Sequence, residues 1–299
     1  MGKPKLTAGD AAFNVVVYTL FGLFTLLCIF PFYYIFINTI SANDLTARGL
    51  ITLIPRGIHF NNYAEVFKIR GLGEAAMVSL GRTVIGSVSS VLCTAFAGYA
   101  FSKKEMWHRK LWYRFFVVTM YFNAGIIPWY INMQNLGLTD NFLAYVIAVI
   151  NPFNLILVKT YIENIPDSLE ESAEIDGAGY MVRFFRIVLP LCGPIIATVS
   201  VFIAVMQWNQ FMDTLLLMRN SKLYTLQFLL WQYLNEASSL ASILRSGAGN
   251  MVNVDPSRYL TTTSVKMTIS MVVILPILCV YPLFQRFFVK GIMIGAVKG

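Results

Sequence analysis

The densest acidic cluster of this sequence is one short segment, residues 170–176, where acidic residues are interspersed with small side chains. Acidic and small residues on a short helix suit docking into a groove of a cytoplasmic protein. The alternative is a helix pair that lies on the membrane surface. An anionic inner leaflet disfavours acidic side chains, so docking is the better interpretation.

Local signals predict a helical elbow over residues 163–190. Ser168 and Glu171 have the spacing of a capping box, which marks a helix start. Gly177 is the type of residue that ends a helix. A second short helix is predicted from Tyr180, with an apolar stripe facing one way.

Polar and aromatic residues inside otherwise apolar stretches could contact a hydroxylated solute, because hydroxyl groups taken out of water need hydrogen-bond partners. The alternative is that they join helices to one another or anchor them at the membrane interface. These candidate path residues are Asn123, Trp129, Asn132, Gln207, Trp208, Asn209 and Asp213.

No catalytic or metal-binding residues are predicted. His59 and His108 both lie outside the apolar stretches, and the four cysteines have no metal-ligand spacing. No phosphate-binding GxxxxGKS/T sequence is present, so ATP would have to bind to another protein. The chain is therefore not expected to be an enzyme.

The elements that position these residues follow from composition. Of the 299 residues, 57% are hydrophobic and 13% are charged, and a soluble domain carries about twice that charged share. The sequence predicts an all-α polytopic membrane protein. Six spans are expected, each long enough to cross a bilayer, at 13–37, 80–101, 112–131, 142–161, 194–217 and 267–289.

The charges between spans predict the orientation. The loop after the second span carries Lys103, Lys104, Arg109 and Lys110, whereas residues 132–141 have no basic residue. The first loop is thus cytoplasmic and the second is external. The N-terminus (1–12), the elbow and the tail (290–299) are then cytoplasmic. At the ends of spans, Arg82 and Lys159 are expected to reach an interface, and Asp213 is expected near external water.

The elbow resembles the E-A-A, G, I-x-L-P loop of permease subunits of bacterial ATP-binding-cassette (ABC) importers. Glu171-Ser172-Ala173, Gly177, Ile187 and Leu189-Pro190 match it, with serine where that pattern has its first alanine. Asp176-Gly177-Ala178 is similar to the maltose-type, carbohydrate branch. Other stretches also resemble these sugar permeases, and the long external segment before the last span resembles the subgroup for complex oligosaccharides of alginate and pectin type.

This resemblance implies a coupling helix that follows a partner ATPase. The residues it implies for ATPase coupling are Glu170, Glu171, Ser172, Ala173, Asp176, Gly177, Ala178, Ile187, Leu189 and Pro190. It also implies a location in the bacterial inner membrane. The implied partners are a second permease, two ATPase subunits that bind ATP and magnesium, and an extracytoplasmic solute-binding protein.

The implied substrate is an oligosaccharide, and external arginines favour an acidic one. The alternative function is an ion-driven transporter of a small polar solute. That class needs carboxylates in mid-membrane or paired broken helices, and the sequence offers neither.

Overall fold

The computed structural model describes residues 8–122, 124–147, 149–245, 263–279 and 282, and every regular element in these ranges is helical. The all-α class is thus confirmed. The first helices are α1 (Ala8–Thr39), α2 (Asn43–Ala47), α3 (Asn61–Phe67), α4 (Leu72–Ser102), α5 (Arg109–Val118), α6 (Ile126–Asn135), α7 (Leu143–Val146) and α8 (Pro152–Ile162). They are followed by α9 (Ser168–Ile175), α10 (Tyr180–Arg183), a π-helical turn (Phe184–Val188), α11 (Leu189–Leu191), α12 (Gly193–Asn209), α13 (Met212–Leu217), a 3-10 turn (Ser221–Leu223), α14 (Leu226–Arg245) and α15 (Thr263–Cys279).

The chain forms two compact units, and the first consists of the described parts of 1–69 and 232–274. In this unit the end of α1 is buried and holds the following loop by hydrogen bonds. Asn62 Nδ2 donates to the Thr39 carbonyl oxygen at 2.9 Å, and the Thr39 and Tyr63 hydroxyls are 2.9 Å apart. The His59 N–H donates to the Ile40 carbonyl oxygen at 2.9 Å.

The second unit, made of the described parts of 70–231 and 275–299, is built around α4. This helix packs against both α8 and α12. Gly98 allows the close approach of α8, because a Cβ atom at this position would lie 2.8 Å from the Val158 side chain. Small residues at a helix contact are typical of packing in membranes.

Among the residues that the structure describes, two helices are long and apolar enough to cross a membrane, and they contain the first two predicted spans. These are Ala12–Thr39 and Leu72–Ser102. The second starts eight residues before the predicted boundary at 80. The segments Tyr180–Leu191 and Gly193–Asn209 are together long and apolar enough to be a third spanning segment, but they are bent by 83° relative to each other. The total of six spans stays a prediction.

In the part of the chain that the structure describes, no unbroken helix covers the third or the fourth predicted span, 112–131 and 142–161. The third is divided between α5 and α6, and Gly125 precedes α6 with a φ of +88°, which favours glycine. The fourth is divided between α7 and α8. Asn151 caps α8 by accepting the Phe153 N–H at 2.9 Å, and Pro152 occupies the first helical position.

The fifth predicted span, 194–217, is also divided. Gln210 is extended between α12 and α13, so the helical hydrogen bonds stop there. The sixth, 267–289, overlaps α15 as far as Cys279, and the rest lies outside the described residues except for 282.

Candidate functional site

The acidic helix of the predicted elbow is α9, and its end is the one the sequence predicts. Gly177 has a φ of +82°. Its N–H donates to the Glu174 carbonyl oxygen at 2.9 Å, and the Ala178 N–H donates to the Ala173 carbonyl oxygen at 2.8 Å. This pair of bonds is a Schellman motif, which satisfies carbonyls left open at a helix end.

The predicted capping box at the start of α9 is wrong. Asp167 precedes the helix in a helical conformation and makes no side-chain cap. The hydroxyl of Ser172 donates back to the Ser168 carbonyl oxygen at 2.7 Å. The first turn instead carries Glu170 and Glu171, whose negative charge suits the positive end of the helix dipole.

Glu170 lies apart from the other predicted coupling residues, because its carboxylate faces the interior. It is buried and accepts a hydrogen bond from the Tyr99 hydroxyl at 2.8 Å. Its other oxygen pairs with Lys103, whose ammonium group lies 4.7 Å from the centre of the Tyr99 ring. Glu170 therefore fixes α9 to the end of α4.

The outward side of α9 is exposed and carries both charge and apolar surface. Glu171, Ser172 and Asp176 are exposed, and Ala173 is half-buried. Ile175 is 87% exposed, the highest value among the large hydrophobic residues whose burial is described. The sequence reasoning missed Ile175, although an isoleucine among acidic and small residues is a recognisable signal. We call these five residues the α9 face.

The rest of the elbow leads from α9 into α12. Arg183 pairs with Glu174 at 2.6 Å, which ties α10 to α9. Phe184 is buried, with its ring centre 5.2 Å from that of Tyr99. Val188 belongs to the same core, so the π-helical turn packs against the inner face of α4.

The remaining predicted coupling residues lie at the two ends of the segment between α9 and α12. Gly177 and Pro190 are exposed, whereas Ala178, Ile187 and Leu189 are half-buried. Pro190 explains the π-helical turn before it. Proline has no N–H to donate, and its ring clashes with the carbonyl four residues earlier, so the helix widens there.

A second polar cluster lies where α12 breaks. Arg82 of α4 is 2% exposed and Asp213 is 7% exposed. The two Arg82 terminal nitrogens lie 3.1 and 2.6 Å from the two Asp213 oxygens. They also donate to the Gln210 carbonyl oxygen and to Gln207 Oε1, both at 3.1 Å.

This cluster corrects two expectations. Arg82 does not reach an interface but is buried, and Asp213 is paired rather than open to water. The guanidinium group of Arg82 also lies 4.5 Å from the ring centre of Tyr145, which is buried. Lys159 is likewise buried and pairs with Glu163 at 2.7 Å.

The other predicted path residues do not form one site. Trp208 is buried, whereas Asn209 is exposed and its amide donates to the Val205 carbonyl oxygen of its own helix at 3.0 Å. Trp129 packs beside Tyr145, and Asn132 is exposed. The prediction for Asn123 lies outside the described residues.

A cavity of about 500 Å³ lies between α4, α12 and α15, next to Trp208. The surface of its lining is almost entirely apolar, and the hydroxyls of Thr83 and Ser87 that border it have no hydrogen-bond partner among the described residues. An apolar lining does not satisfy sugar hydroxyls. The cavity therefore does not suit a sugar.

An exposed carboxylate joins two turns of the second unit. Asp140 accepts hydrogen bonds from the backbone N–H groups of Asn220 at 2.8 Å and Arg219 at 2.5 Å. These bonds favour the charged form and hold the pKa of Asp140 below its ordinary value. Within the described ranges, no group of histidine, cysteine or carboxylate side chains could hold a metal ion.

Comparison with known proteins gives the family. No protein-family profile matches the chain. The polygalacturonan/rhamnogalacturonan transport system permease protein YtcP of Bacillus subtilis (strain 168) is 34% identical over 292 residues, which are 96% of this chain and 98% of that protein. The arabinooligosaccharides transport system permease protein AraQ of Halalkalibacterium halodurans is 25% identical over 289 residues, 93% of this chain and 94% of that protein.

A solved structure supports the same assignment. It is a crystal structure of a bacterial ABC transporter involved in the import of the acidic polysaccharide alginate. The match has a TM-score of 0.80 and 30% identity, and it covers 96% of this chain and 100% of that one. Since sequence and structure agree over almost the whole chain, this protein belongs to the family of permease subunits of carbohydrate ABC importers.

Proposed function

We propose that this permease forms half of the translocation path for an acidic oligosaccharide and is driven by ATP hydrolysis in a partner subunit. Its partners are a second permease, two ATPase subunits that bind ATP and magnesium, and a solute-binding protein on the outside. It lies in the bacterial inner membrane with both termini in the cytoplasm. The observation that carries the proposal is that the α9 face is exposed, whereas Glu170 on the opposite side of α9 holds the helix against the end of α4.

The α9 face is the docking surface for the ATPase. Ile175 supplies apolar area that burial in a groove would stabilise by about 1.5–3 kcal/mol. Glu171 and Asp176 supply negative charge around it, which favours a basic groove. Gly177 ends the helix and has no side chain, so no side chain projects from this position towards the ATPase.

Movement of α9 reaches the membrane through α4. Lys103 and Tyr99 hold Glu170 at one end of this unbroken helix, and Arg82 holds the break between α12 and α13 further along. Tyr99 and Arg82 are 17 positions apart, which is roughly 25 Å along an α-helix. A rigid helix with a fixed contact at each place transmits displacement from the ATPase to the candidate path residues.

The acidic substrate is supported by two similar proteins. One is named for polygalacturonan and rhamnogalacturonan transport, and the other was solved as an importer of the acidic polysaccharide alginate. Arg48, Arg56 and Arg219 are exposed and lie in the segments that the sequence assigns to the outside. Competition for uptake of a radiolabelled uronate oligosaccharide tests this part. Equal competition by neutral oligosaccharides of the same length would remove the preference for acids.

The coupling role is tested with the assembled transporter in proteoliposomes that hold ATP. Gly177→Leu and Glu171→Lys are expected to insert normally and to lose substrate-dependent uptake. Gly137→Leu is the matched control, since Gly137 also has a positive φ, of +68°, and open space around it. Normal uptake and normal ATPase retention in both elbow variants would refute the docking role.

A further inference from the structure

The connection between α4 and α5, together with the first two turns of α5, forms a concave basic surface that the transport role does not use. A cavity of about 520 Å³ there is bordered by Lys104, His108, Arg109, Lys110 and Arg114. We call this surface the basic cleft. It lies on the same side of the membrane as α9, because Lys103, the neighbour of Lys104 in the chain, pairs with Glu170.

The positive charge of the basic cleft is only partly neutralised. Lys110 and Arg114 are exposed and make no ion pair with any described residue. Lys104 lies 3.9 Å from Asp167, and both side chains are about 80% exposed, so this pair contributes little. Arg109 lies 3.9 Å from Glu163, but that carboxylate is also bound by Lys159 at 2.7 Å.

An exposed apolar strip lies directly beside these cations. Leu111, Trp112, Phe115 and Val118 are 63%, 45%, 60% and 50% exposed, and their spacing places them on one side of α5. Lys110 and Arg114 are one turn apart along the same helix. Such a helix suits the boundary between headgroups and acyl chains, with tryptophan at the interface.

We propose that the basic cleft binds the phosphate headgroup of an anionic phospholipid, with the acyl chains against the apolar strip of α5. A free phosphate ion would use only the cations, whereas a phospholipid uses the cations and the strip together. Basic pockets beside membrane helices are suited to anionic headgroups. The site is separate from the α9 face, so lipid binding does not depend on ATPase docking.

Lipid retention tests the site directly. The full transporter is reconstituted in nanodiscs of phosphatidylcholine with phosphatidylglycerol, extracted in mild detergent, and the bound lipids are counted by native mass spectrometry. The variant Lys110→Gln/Arg114→Gln removes two exposed charges without disturbing the core. We expect affinity for phosphatidylglycerol to fall about fivefold for each charge, or about 25-fold for the pair.

The matched control is Lys68→Gln/Arg70→Gln, which removes two exposed cations elsewhere and is expected to retain the lipid. Trp112→Ala/Phe115→Ala is expected to weaken phosphatidylglycerol retention, because the acyl chains lose their contacts. Equal retention in the Lys110/Arg114 variant and the control would overturn the proposal. Release of the lipid by inorganic phosphate in the binding buffer would overturn it in favour of a free-anion site.

Discussion

The guanidinium group of Arg82 and the carboxylate of Asp213, which are 131 positions apart, form a two-point ion pair that is almost closed to solvent. The same guanidinium binds the Gln210 carbonyl oxygen, which the end of α12 leaves without a helical partner. One arginine of α4 therefore satisfies both sides of the break between α12 and α13. These bonds from Arg82 stabilise the break between the two helices.

Removing one member of this pair leaves the other charge buried without compensation. We expect Arg82→Gln to destabilise the protein by about 3–5 kcal/mol. The double variant Arg82→Gln/Asp213→Asn should lose less than the sum of the single variants, because no charge remains buried. A double-mutant cycle on the thermal unfolding of the purified transporter measures this coupling. Additive losses would mean that the two side chains do not interact.

Gly86 permits close packing at the same place. A Cβ atom there would lie 2.8 Å from Gln207 Nε2 and 3.0 Å from the Tyr145 carbonyl oxygen. We expect Gly86→Ala to cost about 1–3 kcal/mol, since the backbone carbonyl cannot move aside freely. Gly73→Ala in the same helix meets no atom within 4 Å and should be neutral or slightly stabilising. Thermal midpoints of the two variants, compared in one detergent, test the contrast.

Ile175 is expected to contribute to ATPase affinity through its apolar area. Ile175→Ala should weaken ATPase retention by about tenfold, because the change removes roughly 1.5 kcal/mol of burial. Ile54→Ala is the control, as Ile54 is also highly exposed, at 70%, but lies outside the elbow. The measurement is the dissociation constant of the purified ATPase for nanodisc-embedded permease. A similar loss in both variants would indicate a general effect of surface hydrophobicity.

The contact between Asp140 and the Arg219–Asn220 backbone is expected to depend on pH. Its folded pKa lies below the unfolded value of about 3.9. The stabilisation is therefore complete above the unfolded pKa and is lost as pH falls through the folded pKa. The thermal midpoint of the wild type should exceed that of Asp140→Asn near pH 6, and the difference should shrink below about pH 4. A difference that is constant across this range would exclude the carboxylate as its source.

Sequence reasoning succeeded where the signal is local. The end of α9 depends on one glycine and its neighbours, so Gly177 could be assigned without any knowledge of the fold. The family pattern of the elbow is likewise local in sequence. It favoured an ATP-driven importer over an ion-driven transporter, and the family relationship confirms that choice.

Sequence reasoning failed where hydropathy is averaged over many residues, and where the partner of a side chain is distant in the sequence. Hydropathy over 142–161 is high whether or not the helix is continuous, so hydropathy alone does not separate α7 from α8. The pairing of Arg82 with Asp213 depends on the packing of α4 against α12, which no window of sequence contains. Glu170 and Glu171 are adjacent acids, and only the fold separates the inward side chain from the outward one.

The π-helical turn between α10 and α11 has a consequence for changes in chain length. Such a turn holds one residue more than an α-helical turn, so the helix before it is rotated by about 100° relative to a regular continuation. Deleting one residue from 184–188 would remove this rotation and turn Arg183 away from Glu174. The fold of residues 180–188 is thus expected to accept substitutions at exposed positions far more readily than a single-residue deletion, which would rotate α10 relative to α12.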